Sequence, residues 1–443
     1  MRDTMINRQL FKTFLKNVIP SVIGFALSGI YTIVDGFFIG HSMGDVGLAA
    51  VTVGFPISAF IQAIGTGIGI AGGIQYSISI AKNNKKQSLE YFTATTVIMV
   101  ILSIILTGVF YFFASPILFT LGATGTILDM AVEYVTVIAL GTACQLLATG
   151  IIPFVRNMNG AKFAMGTMIL GFSTNIVLDY LLVWVIPMGM FGAALATVIG
   201  QLASLIALIF FIVKHKYKLV KLTELNIFKV AKQLFSSALS PFGLSFSSQL
   251  TLLFMNKYLF MYGSGQEVAV YGCIDYILSI VYFLIQGVGD GSQPLISFYY
   301  GKKDKEKEAL ISKMAYYAAF VITIAFAVIV YLRIDRIGFL FGASSETNAE
   351  VIKYLPWFLI TLLLLCFSRI STTYFYATEK NVLSYILVYG ETIWAVVLLI
   401  ILPKFLKLTG VWLAIPLSQV IIFIIAVVMR SRSVERIKVN TNK

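Results

Sequence analysis

Two aspartates close short apolar segments, Asp35 in YTIVD and Asp179 in NIVLD. Tyr31 precedes Asp35 by four residues, and Asn175 precedes Asp179 by the same spacing. In an α-helix that spacing puts each partner on its acid's face, one turn away. Thr197, in ALAT, adds a hydroxyl from the following apolar segment. Two nearby buried carboxylates cannot both stay ionised cheaply, so one takes a proton or the pair holds a cation. Carboxylate, amide and hydroxyl oxygens also suit a hard cation such as Na⁺. The group therefore reads as an ion-coupling site for H⁺ or Na⁺, with Asp35, Asn175, Asp179 and Thr197 as the oxygen set for Na⁺. The plainer alternative is that both acids cap helix ends near a surface.

Later in the chain, Arg369 and Glu391 lie within neighbouring apolar segments that must run antiparallel. They can meet at one depth as a buried ion pair that fixes its half of the molecule or gates it. Such a pair is weak evidence for stability. Asp275 and Lys257 lie nearer the ends of their segments, where pairing or snorkelling is the simple expectation. Asp290, in GVGDGSQP, suggests a helix break, and KKDKEKE (302–308) a solvated loop. No catalytic constellation emerges. His41 and His215 fall in different connections, Cys144, Cys273 and Cys366 are scattered, and neither HExxH nor GxxxxGK[ST] occurs. The expectation is a protein that is not an enzyme and needs no cofactor beyond its coupling ion.

The elements that must carry these residues follow from composition. Of 443 residues 58% are hydrophobic and 12% charged, and the mean hydropathy is +0.90. A soluble domain carries about 25% charged residues. Tyr91–Thr126 and Val185–Val213 contain no Asp, Glu, Lys, Arg or His, and about 20 apolar residues suffice to cross a bilayer. Twelve spans are predicted at 17–38, 48–80, 91–113, 128–150, 161–183, 190–213, 234–261, 267–299, 312–332, 350–376, 382–403 and 409–430. The fold class is an all-α integral membrane protein.

The net charge of +13 records topology. Lysines and arginines crowd the N-terminus, alternate connections and the C-terminal tail. On the other side lie only Arg333, Arg336, Lys404 and Lys407. This is a positive-inside pattern. It places both termini in the cytoplasm, in a cell membrane, and argues against a nucleic-acid partner. No signal-peptide cleavage site is evident, so the start reads as uncleaved.

The chain also repeats itself. Phe119, Gly122, Ala123 and Tyr134 recur as Phe339, Gly342, Ala343 and Tyr354, at an offset of 220. GIQYSIS (73–79) recurs as GSQPLIS (291–297), and Gly192, Ala196 and Gln201 recur as Gly410, Ala414 and Gln419, both at 218. Pro20 and Phe25 match Pro241 and Phe246 at 221. Two parallel six-helix repeats result: an N-lobe at 1–213, a cytoplasmic connector at 214–233, a C-lobe at 234–430 and a tail at 431–443. Transporters place a substrate cavity between such halves and alternate access by rocking. The positions equivalent to Asp35 and Asp179 fall near Asn256 and Val397, so the acidic site belongs to the first half alone.

The stretches LSGIYTIVDGFFIGHSMGDVGLAAVTVGFPI (27–57), RNMNGAKFAMG (156–166), STNIVLDYLLVW (173–184), GMFGAALATVIGQ (189–201), GDGSQPLISFYYGKKDKEK (289–307) and LTGVWLAIPLSQ (408–419) resemble the multidrug and toxic compound extrusion (MATE) family. Within that family they are most similar to the DinF-like and MepA-like branches. The resemblance implies a V-shaped bundle that exports cationic or amphipathic small molecules in exchange for H⁺ or Na⁺, most simply as a monomer in the bilayer. It implies an ion site at Asp35, Asn175, Asp179 and Thr197, with Tyr31 beside it. It also implies that Pro20 permits the first helix to bend when the acid is protonated, where the residues alone suggest an ordinary kink. No acid occurs between Phe235 and Met261, and Gln419 stands where many relatives carry one, which argues against ion coupling in the C-lobe. A lipid-linked sugar flippase of the same superfamily is the rival reading.

Overall fold

The computed structural model describes residues 2–221, 227–341 and 343–441, all helices and short connections. Ten helices are long and apolar enough to cross a membrane. Gly125–Leu140 and Thr142–Asn157 add a further span bent by 58°. The stretch Asn381–Thr441 is broken at Lys407, whose φ is 50°, and so supplies spans 11 and 12. Twelve spans result among the described residues. Spans 1 (Asn7–Gly44), 2 (Val46–Ala81), 3 (Lys85–Phe112), 4 (the bent pair), 5 (Ala161–Val185) and 6 (Gly189–Lys214) make the first half. Spans 7 (Ile227–Tyr262), 8 (Gly265–Gly301), 9 (Lys305–Leu332), 10 (Ser345–Ala377), 11 and 12 make the second.

The helices begin where side chains can satisfy free backbone N–H groups. Asn84 accepts from the Gln87 amide, Asp304 from Lys307 and Ser344 from Thr347. Ser264 and Glu267 form a reciprocal capping box at the start of span 8. Ile104, Val213, Leu332 and Ile360 are exposed on the outside of the bundle. Helices close their own backbone hydrogen bonds and can face hydrocarbon in this way.

The halves interlock near the end of the bundle that carries the chain termini. Leu10, Phe14 and Val18 of span 1, with Ile70, Ile74 and Ile78 of span 2, belong to the apolar core of the second half. Gly287 and Gly291 of span 8 make this fit. A Cβ on either would lie 2.6 Å from the Cα of Val22 or Val18. Small residues at this spacing let two helix backbones touch. Pro20 is buried in span 1 between these two contacts.

Several expectations are corrected. Spans 1 and 2 have no loop between them; helix runs to Gly44 (φ 59°) and resumes at once. Span 4 is bent and continues to Asn157, so Arg156 lies in a helix, 4% exposed, and not in a basic loop. Span 8 is unbroken through Asp290: the glycines of GVGDGSQP serve close packing, not a turn. Glu308, expected in a solvated loop, is 6% exposed in span 9 and accepts a 2.6 Å hydrogen bond from the Tyr374 hydroxyl. Residues 222–226 of the expected connector, Gly342 of the repeat and residues 442–443 of the tail lie outside the described residues.

Candidate functional site

Spans 5 and 6 touch through glycines. A Cβ on Gly200 would stand 2.8 Å from the Gly171 carbonyl and 3.0 Å from the Asn175 Cβ. This contact holds Asn175 against Thr197, and Asn175 Nδ2 donates to Thr197 Oγ1 at 3.3 Å. Thr197 in turn donates to the Ala193 carbonyl at 3.1 Å. One turn along span 5 is Asp179, 1% exposed and the last α-helical residue before a π-helical segment, Tyr180–Val185. Such segments frequently mark functional positions.

Asn175 Oδ1 and both carboxyl oxygens of Asp179 are buried with no hydrogen-bond donor. Half-buried Asp35, from span 1, faces Asp179 at interaction distance. Two acceptors confront each other, and a shared proton, a cation or a bridging water can join them. Buried polar atoms are normally partnered, which singles out these oxygens in the first half. Tyr31 stacks on Phe172, with centroids 5.0 Å apart and planes 13° apart, and its hydroxyl approaches Thr197. Buried Tyr134 of span 4 stands close to both carboxyls.

Asp35, Tyr31, Asn175 and Thr197 line a cavity of about 320 Å³ between the two halves. Its floor is an ion pair that joins the halves. Arg156 Nη1 of span 4 donates to Asp290 Oδ2 of span 8 at 2.8 Å, and the side chains are 5% and 2% exposed. Gln286 donates to the other Asp290 oxygen at 2.7 Å, and the guanidinium lies over Phe25 of span 1. Toward the chain termini come Asn157 Nδ2 to Gln293 Oε1 at 3.1 Å and Gln75 Nε2 to Glu379 Oε1 at 2.8 Å. Gln75 and Gln293 are repeat equivalents, so each half sends the same glutamine across to the other.

The second half builds a different polar site. Arg369 Nη2 donates to Glu391 Oε1 at 3.1 Å, and Gln419 Nε2 donates to the same oxygen at 3.0 Å. Arg369 Nη1 reaches the Leu244 carbonyl at 3.4 Å, and its guanidinium lies over Tyr282. Asp275 and Lys257 are not brought together: Asp275 lines the cavity, Lys257 is exposed, and no ion pair joins them among the described residues.

The MatE family model matches residues 20–181 and 237–401. The chain belongs to this family, the multidrug and toxic compound extrusion transporters. The two matched MATE segments fall one in each half of the bundle. The multidrug export protein MepA of Staphylococcus saprophyticus is 27% identical over 324 residues, 73% of this chain and 71% of that protein. MepA of Staphylococcus aureus is 25% identical over 305 residues, 68% and 67% of the two chains. These relatives mark the MepA-like branch. A multidrug resistance MATE transporter in an outward-facing conformation superposes with a TM-score of 0.90 at 23% identity, covering 96% of each chain. A transporter of the MOP superfamily from Pyrococcus furiosus, described by a binding pocket of reverse polarity, gives 0.89 at 23% identity over 96% of each chain. At that identity the likeness establishes the MATE fold.

Four members of this MATE chain's polar framework are not marked by their sequence context. Tyr134 stands out there only as a repeat match. Arg156 lies in the last turn of span 4, where charge is ordinary, and Asp290 sits among glycines that suggest a break. Their opposite charges are the one available signal of the pair. Gln419 stands where an acid is common, and its amide is a donor to Glu391.

Proposed function

We propose that this protein is a secondary exporter of cationic or amphipathic small molecules, driven by H⁺ or Na⁺ through the first-half carboxylates. The observation that carries this is the face-to-face pair of Asp35 and Asp179, whose free oxygens sit beside a cavity between the halves. Binding of H⁺ gives one carboxyl a donor for the other; binding of Na⁺ draws on Asp35, Asp179, Asn175 Oδ1 and Thr197. Either event pulls span 1 toward spans 5 and 6 and reshapes the cavity wall that holds substrate. Pro20 lacks the N–H that would brace its turn, so span 1 can flex there, below Asp35.

The lobes at 1–213 and 234–430 then move about the connector at 214–233. The floor contacts close the cavity on the side of the chain termini, which the charge bias assigns to the cytoplasm. The arrangement is thus the outward-facing state of the cycle. To open inward, the protein separates Arg156 from Asp290 and the two glutamines from their partners. The MepA relatives carry multidrug export in their names, which supports the substrate class.

Efflux of a fluorescent cation from proteoliposomes tests this reading, with pH and Na⁺ gradients imposed separately. We expect gradient-driven efflux in the wild type and a loss of about tenfold or more, a coupling free energy of ~1.4 kcal/mol or greater, in Asp35→Asn and Asp179→Asn. The gradient that works names the ion. Efflux that ignores both gradients, or survives both substitutions, would remove the carboxylate mechanism and favour a lipid-linked flippase.

A further inference from the structure

The cavity's fixed charges fall into two classes. Arg156 is paired with Asp290 in the floor and Arg369 with Glu391 in the second-half wall. Asp35 faces Asp179 in the first half, and that pair stays anionic even when it shares one proton. The second half holds one further carboxylate. Asp275, on span 8, lines the cavity and has no ion pair and no hydrogen bond among the described residues. It stands in the second half, on the wall opposite the coupling carboxylates. Ser279, one turn along span 8, lines the same cavity, as do Leu252 and Gln249 of span 7 and Phe283 of span 8. The wall around it offers aromatic and aliphatic surface, an amide, and the hydroxyls of Ser279 and Tyr282.

That chemistry discriminates between cations. Na⁺ needs several oxygen ligands around it, and the first half supplies such a set where Asp275 does not. An organic cation has its charge spread over an apolar body. It is held by one carboxylate for charge and by apolar and aromatic surface for the rest. A single unpaired carboxylate on the second-half wall also sets a preference without fixing a shape, which suits a permissive binder.

We propose that Asp275 is the anionic anchor of a substrate subsite on the second-half wall, selective for organic cations over neutral molecules of the same shape. The proposal rests on the exporter reading and adds to it: the coupling ion binds in the first half, and the substrate's charge is met in the second. Release then follows from reshaping the first-half wall, while the anchor itself keeps its charge.

The test is equilibrium binding to the purified full chain in detergent, which requires no gradient. Tetraphenylphosphonium is the cationic probe and triphenylphosphine oxide its neutral competitor of similar shape. Asp275→Asn is expected to weaken tetraphenylphosphonium about tenfold, equivalent to ~1.4 kcal/mol, and to move the neutral compound less than about twofold. Asp275→Glu should recover most of the loss. Equal weakening of both probes, or no change in either, overturns the anchor. A thermal melt of each variant separates lost binding from lost folding, and a melt lowered to match the lost binding also counts against it. Wild-type protein that binds neither probe removes the exporter reading and the anchor with it. Wild-type binding with an indifferent Asp275→Asn removes the anchor alone.

Discussion

The two halves descend from one repeat, yet they treat buried charge in opposite ways. In the second half Glu391 receives Arg369 and Gln419 on one oxygen, so the charge is matched where it stands. In the first half Asp179 receives nothing and faces another carboxyl. A matched buried charge is static, because removing either partner strands the other. An unmatched one stays open to an ion that arrives and leaves. The same six-helix frame thus holds a matched charge on one side and an unmatched one on the other, and the proposed ion exchange needs the second kind. The difference lies in a handful of positions, Asp35 and Asp179 against Asn256 and Val397 among them.

This contrast can be broken from either side. The largest effect on the fold should come from Arg369→Met, which leaves Glu391 buried without its cation and is expected to cost about 3 kcal/mol. The double variant Arg369→Met with Glu391→Leu should recover most of that in a thermal melt. Equal damage from the single and double variants would show that the pair is no brace. Asp179→Asn, by contrast, should leave the melting temperature unchanged or raised while it removes coupled efflux, because it neutralises a group that has no partner to strand.

A smaller effect is expected in the floor. Asp290→Asn weakens the link between the halves, and a maleimide should react faster in that variant with a cysteine introduced at Ser77, which faces Pro294 across the same interface. Exchange of the two charges, Arg156→Asp with Asp290→Arg, should slow labelling again. Labelling unchanged in Asp290→Asn would mean the glutamines hold the floor without the ion pair. The smallest change should be Gln419→Leu, which removes one hydrogen bond to a charged acceptor, about 1.5 kcal/mol. Its efflux should stay within about twofold of the wild type, since ΔΔG of that size falls on the brace and not on the coupling site.

Much of this was legible in the sequence, for a physical reason. Bilayer solvent imposes a length and polarity on every span, so the helices and their repeat stand out without any tertiary information. The acids of the proposed coupling site stood out too, since an acid inside an apolar run has few innocent explanations. Spacing of four then tied Tyr31 to Asp35 and Asn175 to Asp179. What stayed hidden depends on contacts between distant spans. Arg156 lies in the last turn of span 4, where charge is ordinary, Asp290 sits among glycines that suggest a break, and only packing of span 4 on span 8 makes them a buried pair. Glu308 has the same history: its neighbours 302–307 are charged, and its burial depends on Tyr374 from another span. The break at Lys407 was legible as the gap between the spans at 382–403 and 409–430, whereas the bend at Gly141 left no mark on hydropathy, which averages over longer windows than a single dihedral.

The π-helical segment after Asp179 has a further consequence, for insertions and deletions. A π-turn holds one residue more than the α-turn it replaces. Losing a single residue within Tyr180–Val185 would convert the wide turn to an ordinary one and leave both flanking stretches in register. A deletion elsewhere in span 5 would rotate everything beyond it by about 100° and swing Asn175 out of the cavity wall or Asp179 away from Asp35. This short segment is therefore the one place in the span where the chain could change length between related transporters without disturbing the carboxylate.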